Sequence, residues 1–428
     1  MGIRFIIIIS ILLVSIGIAN ADYLIVSRSA TLKKQPKGGS EILFRVSQDE
    51  HLTLLSSTQK NGYYYVNVPG RDLNGWIYRT LVRRYKDESL SSDILANTDN
   101  DLIVDVLDVG AGLCNVITLP NGKFIIYDAG HYRSRGNQTL KQIKEIIPPG
   151  SDIELMILSH TDADHIGAAG NIIADSDFRV KKLVHTGYEK SLISGEDKSA
   201  TYKRLETSII NDIYPIEVIN LYERDSIISP GITKEFGDVK LTYLCGFCKP
   251  LAEWNLSTNA GRINSVSIVV KLTYHGKSIL LCGDAVGRHI GDPENEIIAT
   301  EKFLVQNAGN LLNTDVLIAP HHGADNGNSK QFIERTSPEY VIFSAGHEYN
   351  HPYQIIADRY LNLDPKPKMF RTDYGDDERD ENGSSNEWIE GRINKCIDPY
   401  GDDNIRIMIS ENGLVNVRYT GDNCGCDE

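Results

Sequence analysis

Leu155-Met-Ile-Leu-Ser-His160-Thr-Asp162-Ala-Asp164-His165-Ile-Gly167 is the stretch whose reading decides the fold. Leu155 to Leu158 form a short apolar run of the kind that makes a strand buried on both faces. Ile166 and Gly167 open what reads as a helix, so the polar residues fall on a tight strand-to-helix loop. Two imidazoles and two carboxylates thus meet within six residues. Clustered carboxylates repel in a partly buried loop unless a cation joins them. A divalent metal resolves the conflict, and zinc accepts both imidazole nitrogen and carboxylate oxygen. Helix capping is the competing account. It explains one aspartate but not the pair of flanking histidines.

One loop cannot close a binuclear site, so further ligands must come from other strand ends. Ser278-Ile-Leu-Leu-Cys-Gly283-Asp284 ends an apolar run in a carboxylate, and Asp315-Val-Leu-Ile-Ala-Pro320-His321-His322-Gly323 ends one in paired histidines. Alone, the first is an ordinary turn and the second an ordinary surface pair; with the His160 loop they form a specific set. Other buried-strand runs are Ile103–Leu107, Phe124–Tyr127, Val266–Val270 and Ile279–Leu281. Several end in Gly or Asp and lead into helical or loop segments, which predicts an α/β sandwich. Residues 373–403 read as an exposed acidic loop, and Asn404–Ser410 with Leu414–Tyr419 around Glu411-Asn-Gly413 as a hairpin.

The N-terminal part has a different texture. Arg4, the apolar run Phe5–Ile18 and the small-x-small Ala19-Asn20-Ala21 have the layout of a cleaved secretory signal over residues 1–21. An uncleaved anchor is the alternative, but the run is short for a span of about 20 residues. The expected location is therefore secreted or periplasmic, with no integral membrane span after cleavage. Residues 22–85 read as short strands between the turns Pro36-Lys-Gly38-Gly39, Lys60-Asn-Gly62 and Asn74-Gly75, which suits a small β-barrel. Gly62-Tyr-Tyr-Tyr-Val66 and Gly75-Trp76-Ile77, followed by Leu81-Val82, resemble the bacterial SH3-like domain. That resemblance implies a binding module with cell-wall contact; a barrel without a ligand is the alternative. Residues 86–100 read as a linker.

Composition sets limits. Apolar residues at 41% and charged residues at 24% describe a globular chain. The formal charge is −14, and −15 once Arg4 leaves. So acidic a chain is not expected to bind nucleic acid non-specifically, because that needs Lys and Arg to displace counterions. A nuclease remains open, since bound metal supplies local positive potential. Of seven cysteines, Cys396, Cys424 and Cys426 are candidates for a disulfide in an oxidising compartment, and Cys282 reads as a core thiol. The Cys245-x-x-Cys248 pair lacks the βαβ context of a redox motif.

The order of Asp108-Val-Gly110, Tyr127-Asp128-Ala-Gly130, the His160 loop, Asn264-Ser265, Gly283-Asp284, Pro320-His-His-Gly323 and Asn350-His351-Pro352 resembles the metallo-β-lactamase-fold domain of ComEC-type DNA-internalisation proteins. Exported phosphorylcholine esterases share a similar metal loop. The resemblance covers roughly residues 101–375 and sets 376–428 apart as a C-terminal extension. It implies an αββα sandwich in which His160 and Asp162 hold one divalent ion. Asp164, His165 and His322 hold a second, and Asp284 bridges them. Zinc is the expected metal and manganese the alternative. His321 and His351 then face the substrate as phosphate binders or proton donors, and Asp128 orders the loops. Two departures stand out. No histidine occupies the third-ligand strand near Leu241–Cys245, where Cys245 reads as structural, with a zinc thiolate or His185 as alternatives. Ala111-Gly-Leu-Cys114 replaces the Gln and acid usual in the competence proteins.

The expected function is an exported phosphodiesterase in which a metal-bridged hydroxide attacks nucleic acid or a phosphate-containing envelope polymer. Competing readings are hydrolysis of β-lactam-like or other carboxylic substrates, and a non-catalytic envelope-binding protein with a structural metal. ComEC-type proteins join this domain to a membrane channel, and none is seen here.

Overall fold

The computed structural model describes residues 23–47, 50–68, 71, 73–85, 100–130, 136–293, 295–346, 349–372, 388 and 403–420. The expected leader 1–21, the expected linker up to residue 99, most of the acidic loop and Cys396, Cys424 and Cys426 lie outside the described residues. The chain divides into two units, Met1–Ala96 and Asn97–Glu428.

The first unit is all-β. Its strands are β1 (Tyr23–Val26), β2 (Ala30–Lys33), β3 (Ile42–Val46), β4 (His51–Lys60), β5 (Tyr63–Val68), β6 (Leu73–Tyr78) and β7 (Val82–Tyr85). They form one sheet in the order β3-β2-β6-β5-β4-β1-β7. Period-two alternation sends Leu24, Leu32, Leu52, Val66 and Ile77 to one face, where they close a small core.

The second unit has two sheets. Its first half contributes β8 (Leu102–Val106), β9 (Asn115–Thr118), β10 (Phe124–Tyr127), β11 (Ser151–Leu158), β12 (Phe178–Val180), β13 (Lys182–His185) and β14 (Glu217–Asn220). Its second half contributes β15 (Ile232–Phe236), β16 (Val239–Cys245), β17 (Val269–Tyr274), β18 (Lys277–Leu281), β19 (Val316–Ile318), β20 (Tyr340–Phe343) and β21 (Lys368–Arg371). The C-terminal hairpin is β22 (Ile405–Ile409) and β23 (Val415–Tyr419). One sheet runs β14-β13-β11-β10-β9-β8-β22-β23, with β12 beside β11; the other runs β15 to β21 in sequence order.

Strict alternation explains why the central strands read as unbroken apolar runs. Ile125 and Tyr127 of β10, Leu155 and Ile157 of β11, and Ile279 and Leu281 of β18 fill the core between the sheets. Ile126, Met156 and Leu158 turn outward to the helices at 136–146, 169–173 and 200–211. Leu280, Leu317 and Val341 turn to the helices at 299–307, 330–336 and 354–361. The layers are therefore helix, sheet, sheet, helix, as expected for a mixed α/β sandwich.

The hairpin corrects one boundary. Residues 405–419 are no extension: β22 pairs antiparallel with β8 from Ile405↔Val106 to Ile409↔Leu102 and carries Ile405, Ile407 and Ile409 into the inter-sheet core. Arg406 fastens it with two bonds to buried Asp105, at 2.7 and 3.1 Å.

Candidate metal centre

Parallel pairing gathers the chemistry at one edge. Strands β10 and β11 are parallel in one sheet, as are β18, β19 and β20 in the other, so their carboxyl ends open the same way. Asp128 follows β10, His160 follows β11, Asp284 follows β18, His321 and His322 follow β19, and Ser344 follows β20. Ligands in open α/β sheets collect outside such carboxyl ends. Gly283 lets the two sheets meet there: its φ is +52°, and an added Cβ would lie 2.5 Å from Ser159 Cβ. His321 and His322 are both left-handed, with φ of 50° and 54°. Such backbone costs about 1–3 kcal/mol per residue and clusters at functional sites. It is held here by bonds from His321 N to Gly283 O and from Ala324 N to His321 O.

Asp164, His165, Asp284 and His322 each offer one ligand atom, and these atoms lie within 4.8 Å of one another. Three imidazoles are fixed from behind. His165 Nδ1 meets Asp128 Oδ2 at 2.9 Å, His322 Nδ1 donates to Ser344 O at 2.6 Å, and His160 Nδ1 contacts Ser159 Oγ at 3.0 Å. Each Nε2 then faces inward. His165 Nε2 lies 3.2 Å from His322 Nε2 and 3.0 Å from Asp284 Oδ1. His160 Nε2 is buried with no hydrogen-bond partner. Orphaned inward atoms with tethered outer atoms are what metal-binding histidines require. The residues therefore fit a divalent metal.

The other expected ligands are near but less closed. His160 Nε2 lies 3.8 Å from both Asp162 Oδ2 and Asp284 Oδ2. His321 Nε2 lies 3.4 Å from Asp284 Oδ2, and the His351 ring stacks 6.3 Å from that of His322. His185 and Cys245 stand apart from the four-residue cluster. His185 is buried beside Tyr202, 6.4 Å between centroids, and burial pushes its pKa down to about 4. Cys245 packs in the outer core and donates to Ser267 O at 3.7 Å, with burial holding its thiol protonated. Cys248 is likewise a free buried thiol, so the C-x-x-C pair is not bridged.

Burial dominates the electrostatics. It pushes His160, His321 and His351 below the ordinary imidazole value, with neighbouring histidines adding to it. Burial opposes charge on His165 too, yet Asp284 and Asp128 together hold its pKa well above that value. Asp284 is the counterpart, held well below the carboxylate range by His165, His321 and His322 despite burial. Asp162 is pushed up to about 7 by burial and then by Asp164 and Asp284.

Sequence reasoning missed two partners. Asn264 had entered only as part of a motif. Its side-chain amide lies 3.2 Å from His321 Nε2, and turned end for end it donates to Asp162 Oδ2 and Ala260 O at 3.0 Å while its oxygen accepts from His321 Nε2. It thus ties the first loop to the histidine pair. Ser344 acts through its carbonyl, which leaves no trace in residue type. A cleft of about 390 Å³ at the opposite end of β11 is lined by Lys123, Asp152 and Arg179. Its charges are paired, Arg179 to Asp152 at 2.7 Å and Lys123 to Glu154 at 2.9 Å, and it is remote from this chemistry.

Residues 107–242 match the metallo-beta-lactamase superfamily. The chain carries a metallo-beta-lactamase domain. The matched span includes the His160 loop but stops before Asp284 and His322, which the fold returns to it. Members of this superfamily typically bind divalent metals. The chain is 25% identical over 272 residues to Recombination protein 2 of Haemophilus influenzae, covering 60% of this chain and 26% of that protein. It is 24% identical over 272 residues to ComE operon protein 3 of Bacillus subtilis, covering 59% and 30%. Over 98 residues it is 31% identical to Competence protein ComA of Neisseria gonorrhoeae, covering 22% and 13%. The chain thus spans less than a third of the curated relatives it matches. Among the described residues, no helix is long and apolar enough to cross a membrane.

Proposed function

We propose that the metallo-beta-lactamase domain is an exported, binuclear metal-dependent phosphodiesterase acting on nucleic acid. The observation that carries the reading is the convergence of three tethered imidazoles and Asp284 on one buried point. Asp164, His165 and His322 would hold one ion, His160 and Asp162 the other, with Asp284 shared between them. Zinc is the first choice of metal and manganese the second. Divalent ions held there supply Lewis-acid charge and a nucleophilic water at neutral pH.

The protein's own groups prepare that chemistry. Asp128 keeps the His165 proton on Nδ1 and leaves the Nε2 lone pair facing the centre. Asn264 fixes Asp162 and His321 together. His321 lies beside Asp284 and His351 beside the histidine pair, both with pKa held below the ordinary imidazole value, suited as neutral N–H donors to hold a phosphate oxygen. Relatives named for recombination and competence favour a nucleic-acid phosphodiester over a lactam. The N-terminal unit, read as SH3-like, would be a separate binding module.

The test is turnover of bis-p-nitrophenyl phosphate and of single-stranded DNA with Zn²⁺ or Mn²⁺ supplied. His160→Ala and Asp284→Ala should abolish both activities, while His185→Ala should keep them. Stoichiometric metal with neither substrate cleaved would sink the phosphodiesterase reading.

A further inference from the structure

The whole-chain charge hides a division. From Asp22 to Tyr85 ten Lys and Arg face five Asp and Glu, a formal +5 in a chain of −14, so the remainder carries −19. Charges act locally, because the Debye length is about 8 Å at physiological salt. Residues 22–85 therefore carry a net positive charge of their own.

Its sheet face opposite the core is aromatic as well. Tyr65 and Trp76 are directly opposed across β5 and β6, as are Tyr63 and Tyr78. Their ring centroids are 4.9 Å apart in both pairs. Tyr78 is 38% exposed, Tyr65 and Trp76 are half-buried, and Tyr63 lies beneath Tyr78. The next strand on each side adds a cation. Lys33 of β2 is in register with Trp76, and Lys60 of β4 with Tyr63. Lys33 Nζ is anchored on Gly38 O, and Lys60 is exposed. The Asn61-Gly62 turn, with φ of 52° and 76°, brings β4 back beside this ladder. A Cβ on Gly62 would press on the Tyr78 ring at 3.0 Å.

We infer that this face binds single-stranded nucleic acid, stacking bases on the Tyr65–Trp76 and Tyr63–Tyr78 ladder while Lys33 and Lys60 take the phosphates. A row of π-faces flanked by cations is the recognition surface for unpaired bases on an anionic backbone. An anionic polymer without bases would satisfy the lysines and leave the rings with nothing to stack on. The inference rests on the phosphodiesterase reading for its sense, since it supplies the capture surface that the acidic domain lacks.

Binding is measured on the full chain in EDTA, so that the fate of the catalytic reading does not enter. The probe is a fluorescent 20-mer of deoxythymidine followed by anisotropy, with inorganic polyphosphate and a DNA duplex as competitors. Trp76→Ala should weaken binding about 10-fold or more, and Trp76→Phe, which keeps a ring, should stay within about threefold. Lys33→Glu with Lys60→Glu should weaken it further and flatten the log–log salt dependence by roughly 1.4, since each phosphate contact contributes about 0.7. The circular dichroism spectrum and thermal unfolding profile of each variant should match those of the parent, which reports that it folds. Undiminished binding in Trp76→Ala, or displacement by polyphosphate as readily as by unlabelled single strand, would overturn the proposal.

Discussion

Asp128→Asn tests how the metal centre is organised. Asp128 is fully buried, accepts from Ser159 N at 2.6 Å and Ser159 Oγ at 2.7 Å, and meets His165 Nδ1 at 2.9 Å. Its φ of 60° lies in the left-handed region that asparagine also tolerates. The backbone should therefore stay in place. If the new amide oxygen accepts from Ser159 N, its NH₂ group faces His165 Nδ1 and drives the ring proton to Nε2, which points at Asp284 and His322. The reverse orientation strands the buried Ser159 N–H, at about 1–3 kcal/mol. Either way the Nε2 lone pair is lost or expensive. Such outer partners are worth about 10–100-fold in metal affinity, or about 1.4–2.8 kcal/mol at 1.4 kcal/mol per decade. A competition titration of Zn²⁺ against a chromophoric chelator reads the affinity, and a urea midpoint of the metal-free protein reads the fold. Parent-like zinc affinity in a folded Asp128→Asn protein would refute the tautomer argument.

Arg406→Ala leaves Asp105, 2% exposed, without its bidentate partner. A loss of about 2–3 kcal/mol in urea unfolding is expected, below the full value for a buried pair because Arg406 is partly exposed; an unchanged midpoint would mean that the hairpin is dispensable. Burial pushes Glu301 up to about 7 from an ordinary 4.5, against the N–H groups of Asn328 and Ser329. Its folded pKa lies above the unfolded one, so its contribution is full below about pH 4.5, is lost as pH rises to about 7, and is flat beyond. That is about 3 kcal/mol. Metal-free Glu301→Gln should show a flatter stability profile between those limits, and parallel profiles would contradict the assignment. Removing metal with EDTA should lower the thermal midpoint by about 5 °C, because an ion at 100 times its Kd contributes about 2.7 kcal/mol; no shift would argue that none is resident.

Much of the domain was legible because its signals are local. Phe124–Tyr127, Leu155–Leu158 and Ile279–Leu281 are apolar throughout because both faces of their sheets are covered, and each ends at a residue of the centre. The His160 loop was legible because two carboxylates beside two histidines are costly without a cation. What escaped depends on long-range pairing. The hairpin at 405–419 looked detached because the partner of β22 is β8, some 300 residues earlier. Ser344 escaped because its contribution is a carbonyl, and Asn264 because an asparagine before a serine has no chemistry of its own until folding sets it against Asp162 and His321. Cys245 fell near the expected third-ligand position in sequence, but it ends β16 with its thiol in the outer core, away from the clustered ligands.

Net charge says nothing of where the charge lies. A value of −14 is a sum over 428 residues, whereas a polyanion in physiological salt senses only what lies within about 8 Å of it. The acidic remainder lowers the sum although residues 22–85 by themselves carry a formal +5. Its own carboxylates serve another end, since Asp162, Asp164 and Asp284 need a cation at their centre. Negative charge that disfavours a polyanion is also the charge that would favour a divalent ion at this centre. On the phosphodiesterase proposal, an anionic substrate gives such a chain reason to draw its positive charge from residues 22–85, since the carboxylates of the candidate centre would be taken up by the metal.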